Sequence, residues 1–426
     1  MTANETSATA RSTSLWRHPN FLRLWGGEAG AQIGAELGGI AIPVLAVAIL
    51  GAGEIEVGLL GAAGTAAFLL VGLPAGAWID RELKRRIMMR ANLARALALA
   101  AIPVLWLSGV LEMWHLLIVA AIVGVATVFF DIAYQSYIPV LVPRDRIADA
   151  NGKLESTAQL AGVGGPAVGG ALLAVVSAPL VLAGTALTYL LSFAALATIR
   201  DDEQPRPKED RRPLRTEIVE GMSFVWNQRL LRSIAACTSV TNLFATLAMT
   251  MTPLLVLRDL GISPAVFGIA LSVGAIGGLL GAMMAAPLAR VLGEGTVIPV
   301  SAVLGGLALV PVALMPALPE IAIPLLIGGM FLTSVSVLVY NIAQVSFRQR
   351  ICPVPLLGRM NASIRFVVWG VLPIAAVLSG VLSAAWGIET TLWIAVIGTL
   401  LASGFVVFSP LLRMRTLPTE LEALGS

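Results

Sequence analysis

Apolar residues run along this chain in long, nearly unbroken stretches, with the polar residues gathered between them. Twelve stretches reach the ~20 residues a helix needs to cross a hydrocarbon core. They cover 22–49, 56–79, 88–109, 114–139, 153–176, 178–199, 231–257, 264–288, 296–316, 320–345, 359–385 and 389–411. In lipid each backbone N–H and C=O must be satisfied within its own segment, so each stretch is expected to be a helix. Sliding the chain by 210 residues superposes Pro43 on Pro253, Gly51 on Gly261, Gly58 on Gly268, Pro143 on Pro353, Asn151 on Asn361 and Gly170 on Gly380. These landmarks fall at equivalent places in two successive sets of six stretches. The pattern predicts an all-α membrane protein with twelve transmembrane helices in two pseudo-symmetric six-helix halves. The expected divisions are a cytosolic tail (1–21), a first half (22–199), a cytosolic linker (200–230), a second half (231–411) and a cytosolic tail (412–426).

Composition agrees with that pattern. The 426 residues are 57% hydrophobic and 12% charged, too apolar for a soluble domain, so the lipid bilayer is the expected solvent. Of the 28 Lys and Arg, Arg95 and Arg365 lie inside spans and Arg258 lies between spans seven and eight. The rest lie at the termini, in the even-to-odd loops, or near the helix ends those loops join. This bias predicts that both termini are cytoplasmic. The net charge of +3 is spread over loops and gives no reason to expect nucleic acid. Two cysteines, Cys237 and Cys352, make neither a disulfide framework nor a metal cluster. The N-terminus has no apolar region after a basic stretch, so no cleaved signal is expected. Residues 200–215 are charged and Pro-rich and read as a flexible join. After them Leu214, Ile218, Met222 and Val225 recur at helical spacing, which predicts either an interfacial helix ending near Trp226 or an extension of span seven.

Two loop and helix motifs narrow the reading. Between spans two and three stand Gly76, Asp80 and Arg81, followed by Lys84, Arg85 and Arg86. This resembles the G-x-x-x-D-R-x-x-R-R signature of the major facilitator superfamily, with Leu83 where many members have a second glycine. Span five carries Gly165, Pro166, Gly169 and Gly170, which resembles the G-P-x-x-G-G element of the drug:proton antiporters in that superfamily. Proline bends such a span, and the glycines admit a neighbouring helix. Over nearly its whole length the chain is similar to the branch that contains macrolide efflux proteins and enterobactin exporters. The resemblance implies a major facilitator fold with spans one, four, seven and ten around a central cavity. It also implies that Asp80 braces against span eleven near Arg359 or Arg365, as a latch for the outward-facing state. The second copy of the loop has Ala289 in place of the aspartate, so the latch is one-sided.

Acidic residues inside spans cost roughly 2.5–3.5 kcal/mol each on insertion scales, and so usually face a wet, functional cavity. Span one carries Glu28, Gln32 and Glu36 at steps of four, on one helix side. Span four carries Asp131 with Tyr134 and Gln135. A carboxyl removed from water holds its proton more tightly, as a proton-coupled carrier requires. Glu36, at mid-span, is the first candidate, Asp131 the second, and Glu28 the third, with snorkelling or pairing to an arginine near the interface its alternative. The 210-offset counterparts are neutral: Thr238, Asn242, Thr246 and Asn341. With Tyr340 and Gln344 they suggest a hydrogen-bonding substrate surface. Arg95 is expected to pair with Asp80 or Asp131, and Arg365 with Glu155.

No motif for ATP, metal or covalent catalysis appears, and no cofactor is expected. The expected function is export of amphipathic small molecules such as drugs or macrolide-like compounds. It would be driven by the proton gradient through alternating access, in a bacterial plasma (inner) membrane, by a monomer. Export of a siderophore or lipid-like metabolite is the alternative, and a non-transporting membrane sensor the more distant one.

Overall fold

In the computed structural model the described residues are 15–79, 82–143, 146–201, 203, 214–353 and 357–415, and among them there is no strand. The chain folds into α1 (Pro19–Val44), α2 (Glu54–Leu70), α3 (Gly72–Ile79), α4 (Lys84–Leu107), α5 (Met113–Leu141), α6 (Ile147–Leu173) and α7 (Ala178–Ala197). There follow α8 (Leu214–Asn227), α9 (Arg229–Leu254), α10 (Pro264–Leu292), α11 (Val297–Ala308), α12 (Val310–Leu314), α13 (Ala322–Ile351), α14 (Leu357–Trp369), α15 (Leu372–Trp386) and α16 (Ile388–Val407). Ten helical stretches among the described residues are long and apolar enough to cross a membrane. Predicted spans 56–79 and 153–176 fall outside those ten. The first is broken, and the second lies in α6, whose Lys153, Glu155 and glycines dilute its apolar character.

Three predicted spans are interrupted, and proline accounts for each interruption. Pro74, Pro311 and Pro373 have no N–H to give to the carbonyls of Leu70, Leu307 and Trp369. The breaks fall there, between α2 and α3, α11 and α12, and α14 and α15. Pro43 and Pro253 act differently. Each lies near the end of a long helix that continues as a π-helical turn, Leu45–Ile49 and Leu255–Asp259. A wider turn takes up the hydrogen-bond mismatch that an internal proline creates. The two π turns touch one another, and each ends before a glycine with positive φ, Gly51 at 66° and Gly261 at 60°.

Helices pack largely within the earlier set α1–α7 and within the later set α9–α16. α1 lies on α6 and α7, and α4 on α5 and α7; among the later helices α10 lies on α13, and α9 on α15 and α16. The two sets meet chiefly through α2 on α15 and α6 on α10. Four glycines make those seams. A Cβ on Gly58 would stand 2.7 Å from the Ala376 carbonyl oxygen and 2.9 Å from Gly380 Cα. A Cβ on Gly170 would stand 2.5 Å from the Pro264 carbonyl oxygen and 3.2 Å from Gly268 Cα. Such close backbone approach is available only to glycine. Gly58 and Gly268 are 210 residues apart, as are Gly170 and Gly380, so the repeated landmarks pair crosswise.

These seams, the π turns and an ion pair share the side opposite the helix ends nearest the chain termini. There the Arg258 Nη2 lies 2.7 Å from Glu54 Oε1, and Arg258 Nε lies 2.7 Å from Asp259 Oδ1. On the terminal side, α8 packs against α14 and α9, and a break at Gln228 separates it from α9. It is therefore a helix in its own right and not an extension of span seven. The predicted tails and most of the linker lie outside the described residues.

Candidate functional site

A cavity of about 540 Å³ lies among α1, α5 and α6 toward the terminal side. Its walls carry Trp25, Glu28, Gln32, Asp131, Tyr134 and Glu155. The helical register explains why these residues meet. Glu28 and Gln32 are one turn apart on α1, and Asp131 and Tyr134 one turn apart on α5. Gln32 Nε2 donates to Glu28 Oε1 at 2.9 Å, and Trp25 Nε1 donates to Thr157 Oγ1 at 2.9 Å. Glu28 is only 8% exposed, and its Oε2 has no hydrogen-bond partner. Loss of water without a replacement partner is costly, and such atoms mark sites that bind something in turn.

Glu36, ranked first from sequence, is not on that cavity. It is half-buried against α6, where its side chain fills the space a Cβ on Gly165 would need, with Oε1 3.9 Å from a Cβ on Gly162. The Gly165–Gly170 motif thus has two faces. Gly165 admits Glu36 and Gly169 admits Leu37 of α1, while Pro166 and Gly170 meet α10. The Ala167 N–H, next to the proline, donates to Ser272 Oγ of α10 at 2.9 Å.

Arg95 departs from expectation. No ion pair joins it to Asp131 among the described residues, and Asp80 lies outside them. Its guanidinium instead sits over the Phe130 ring at 4.7 Å and the Tyr189 ring at 5.2 Å, and donates to Asn92 Oδ1 at 3.3 Å. Aromatic faces stabilise a desolvated cation without neutralising it, so its charge still acts on Glu28 and Asp131. Arg365 likewise makes no ion pair with Glu155. It lies over Trp369 at 4.8 Å, and that indole meets Phe68 of α2 edge to face at 4.8 Å.

The latch prediction cannot be followed at Asp80 and Arg81, which lie outside the described residues; Gly76 stands in α3. Arg86 is exposed, but Arg85 is engaged elsewhere. Its Nε lies 3.2 Å from Asp201, which also accepts from the Tyr137 hydroxyl, and its Nη1 donates to the Leu196 carbonyl at 3.3 Å. Glu203, its side chain 2% exposed, accepts from the Lys84 backbone N–H at 3.0 Å and the Arg85 N–H at 3.4 Å, and pairs with Lys84 Nζ at 3.0 Å. It caps α4 where the helix would otherwise leave bare N–H groups. The linker carboxylates were missed because charge and proline content suggested only flexibility.

Of the residues expected to form a substrate surface on the later helices, three are committed to the fold: Asn242, Tyr340 and Thr238. Asn242 Nδ2 donates to the Val368 carbonyl at 3.0 Å and Ser239 Oγ to that of Val367 at 2.9 Å, supplying carbonyls left without partners where α14 ends. The Tyr340 hydroxyl is buried and bonded to Thr238 Oγ1 at 2.8 Å. Asn341 lies 3.5 Å from Gln344, whose Oε1 is buried without a partner. These helices are also not neutral. α13 runs beyond the predicted span to Ile351 and buries Arg348, 9% exposed, with no partner for its Nε. Sequence reading assigned that arginine to the basic loop end.

Residues 10–422 match the family model described as transmembrane secretion effector. Over 414 residues the chain is 28% identical to the multidrug efflux pump Tap of Mycolicibacterium fortuitum, covering 94% of this chain and 98% of that protein. It is 23% identical to macrolide efflux protein A of Streptococcus pyogenes over 180 residues, which is 42% of this chain and 44% of that protein. Among solved structures it is similar in fold to a bacterial homologue of the iron transporter ferroportin, with a TM-score of 0.73 at 15% identity, covering 93% and 99% of the two chains. The chain is a multi-pass membrane protein of the transmembrane secretion effector family, within the major facilitator superfamily.

Proposed function

We propose that this protein is a proton-coupled exporter of amphipathic, drug- or macrolide-like small molecules. It works by alternating access between two six-helix halves of a twelve-span bundle, as a monomer in a bacterial plasma membrane. The positive-inside bias makes the terminal side, with both chain ends, cytoplasmic. The glycine seams and the Glu54–Arg258 pair then close the outer side, and the cavity lies toward the cytosol, as in an inward-facing carrier. The observation that carries this reading is the cavity itself, with buried Glu28 and half-buried Asp131 beside aromatic walls and a carboxylate oxygen left without a partner.

Glu28 and Asp131 are assigned the proton, because they lie on the cavity wall and share the field of Arg95. Substrate and proton can then displace one another within one site. Glu36 is assigned a coupling role, since it touches the Gly165 motif whose other face forms the seam with α10. The test is efflux of a cationic dye and a macrolide from proteoliposomes under an imposed pH gradient. Glu28→Gln is expected to lose uphill efflux while retaining downhill substrate exchange. Wild-type uphill rates in Glu28→Gln and Asp131→Asn would reject the proton assignment; no gradient-driven movement by the wild type would reject the function.

A further inference from the structure

The acids on α1 and α5 have an opposite number that the exporter reading does not use. Arg348 is buried on α13, forms no ion pair within 4.0 Å among the described residues, and leaves its Nε without a partner. One turn before it, Gln344 is 3% exposed and its Oε1 is also without a partner. The Arg348 Nε is the guanidinium donor taken out of water with nothing to replace it, and such an unpaired donor on a cation is costly. It is normally offset by an anion.

Register gives these groups, on α13, the helix face that the cavity residues occupy on α5. The 210-residue offset holds in three dimensions, because the four seam glycines pair according to it. Under the same offset Asp131, Tyr134 and Ile138, all on the cavity wall, correspond to Asn341, Gln344 and Arg348. These positions follow the i, i+3, i+7 spacing and so share one face of α13. Thus α5 presents a carboxylate where α13 has an amide, and α13 presents a guanidinium where α5 has an isoleucine.

We infer that Arg348, with Gln344 beside it, is an anion-accepting subsite for substrate. The preferred cargo is then zwitterionic: a protonated amine faces the Glu28–Asp131 wall, and a carboxylate or comparable acidic group meets Arg348. Gln344 Nε2, held only loosely by Asn341 at 3.5 Å, can donate to that group, and the guanidinium takes it in a charge-assisted pair. This rests on the exporter reading for the identity of the site, but its test needs no transport.

Rhodamine B carries a free carboxylate beside its delocalised cation, and its methyl ester is matched in size but only cationic. Binding of each to the detergent-purified full chain is measured by fluorescence anisotropy. The wild type should bind the acid more tightly than the ester. Arg348→Gln should weaken the acid about tenfold or more, the share of a charge-assisted bond, and leave the ester unchanged. Arg348→Lys should restore part of the preference, and thermal midpoints of both variants separate this effect from misfolding. Tighter binding of the ester by the wild type, binding of neither dye, or equal weakening of both dyes in a folded Arg348→Gln protein overturns the inference. A protein that shows the acid preference but no gradient-driven efflux would keep this subsite and reject the exporter reading instead.

Discussion

Gly58→Ala tests whether the glycine seams hold one conformation. The added methyl would lie 2.7 Å from the Ala376 carbonyl oxygen, 2.9 Å from Gly380 Cα and 3.0 Å from Gly380 N, all of them backbone atoms. None can swing aside as a side chain does, so α2 and α15 must part by at least several tenths of an ångström. Overfilling a packed contact costs typically 1–3 kcal/mol. The gain in helix propensity, at most about 1 kcal/mol, applies in every conformation and cancels. If the seam exists only while the side opposite the termini is closed, the whole penalty falls on that state. The population opened there then rises about 5- to 150-fold. The reporter is Val256→Cys on the second π turn, fully buried here, in a background with Cys237 and Cys352 changed to serine. Its labelling by an impermeant maleimide from that side should accelerate by this factor. Gly64→Ala is the control, because it lies on the same helix with nothing within 4 Å of its added methyl. Unchanged labelling in Gly58→Ala, or equal acceleration in Gly64→Ala, refutes the argument.

The Glu54–Arg258 pair makes a smaller contribution to the same closure. Its side chains are 27% and 40% exposed, so Glu54→Gln should raise Val256→Cys labelling no more than about fivefold. Hydrogen bonding to Arg258 holds the Glu54 carboxyl below its ordinary value of 4.5. A lowered value means the pair's contribution is complete above about pH 5 and fades as pH falls through the lowered value. The ratio of variant to wild-type labelling should therefore stay flat from pH 5 to 8 and approach one only in stronger acid; a slope between pH 6 and 8 would contradict the assignment. Glu203→Gln should lower the thermal midpoint of the purified protein by the equivalent of about 1–2 kcal/mol, because it weakens both the α4 cap and the Lys84 pair. An unaltered midpoint would show that this segment of the linker is not fastened to α4.

The parts of this fold that were legible in the sequence are those set by local physics. Long apolar runs must be helices in lipid, but proline alone does not announce a break: Pro74, Pro311 and Pro373 stand at interruptions, while Pro103, Pro139, Pro166 and Pro287 lie within continuous helices. The acids of α1 and α5 were found because charge in an apolar run is conspicuous. Which of them lines the cavity was not legible, because the pattern does not show how far along α1 the neighbouring helices leave its side open. Glu36 and Glu28 are eight residues apart on one side of α1, yet only Glu28 reaches the cavity. Arg348 was hidden for the opposite reason. At a span end beside Arg350 it looked like an ordinary basic flank, and only tertiary packing reveals that it is buried while Arg350 pairs with Glu294 at 2.8 Å.

The repeat also gains a physical meaning that a list of coincident residues could not supply. Each seam joins a glycine from one repeat to the offset counterpart of the other seam's glycine, so sterics treat the two repeats alike. Charge does not. Glu28, Asp131 and Arg348 have Thr238, Asn341 and Ile138 as counterparts, and Glu54 and Arg258 have Pro264 and Ala48. A rocking frame gains from symmetry, because equal contacts at both seams let the bundle close without tilting to one side. A coupling site gains nothing from a second copy. Duplicated carboxylates facing each other across one cavity would repel, and each would carry its own insertion cost. On the proposed subsite, an acid on α1 and α5 and a guanidinium on α13 instead offer opposite charges to the two ends of one zwitterionic cargo. On the exporter proposal, the broken symmetry of charge and the kept symmetry of glycine answer two requirements of one cycle.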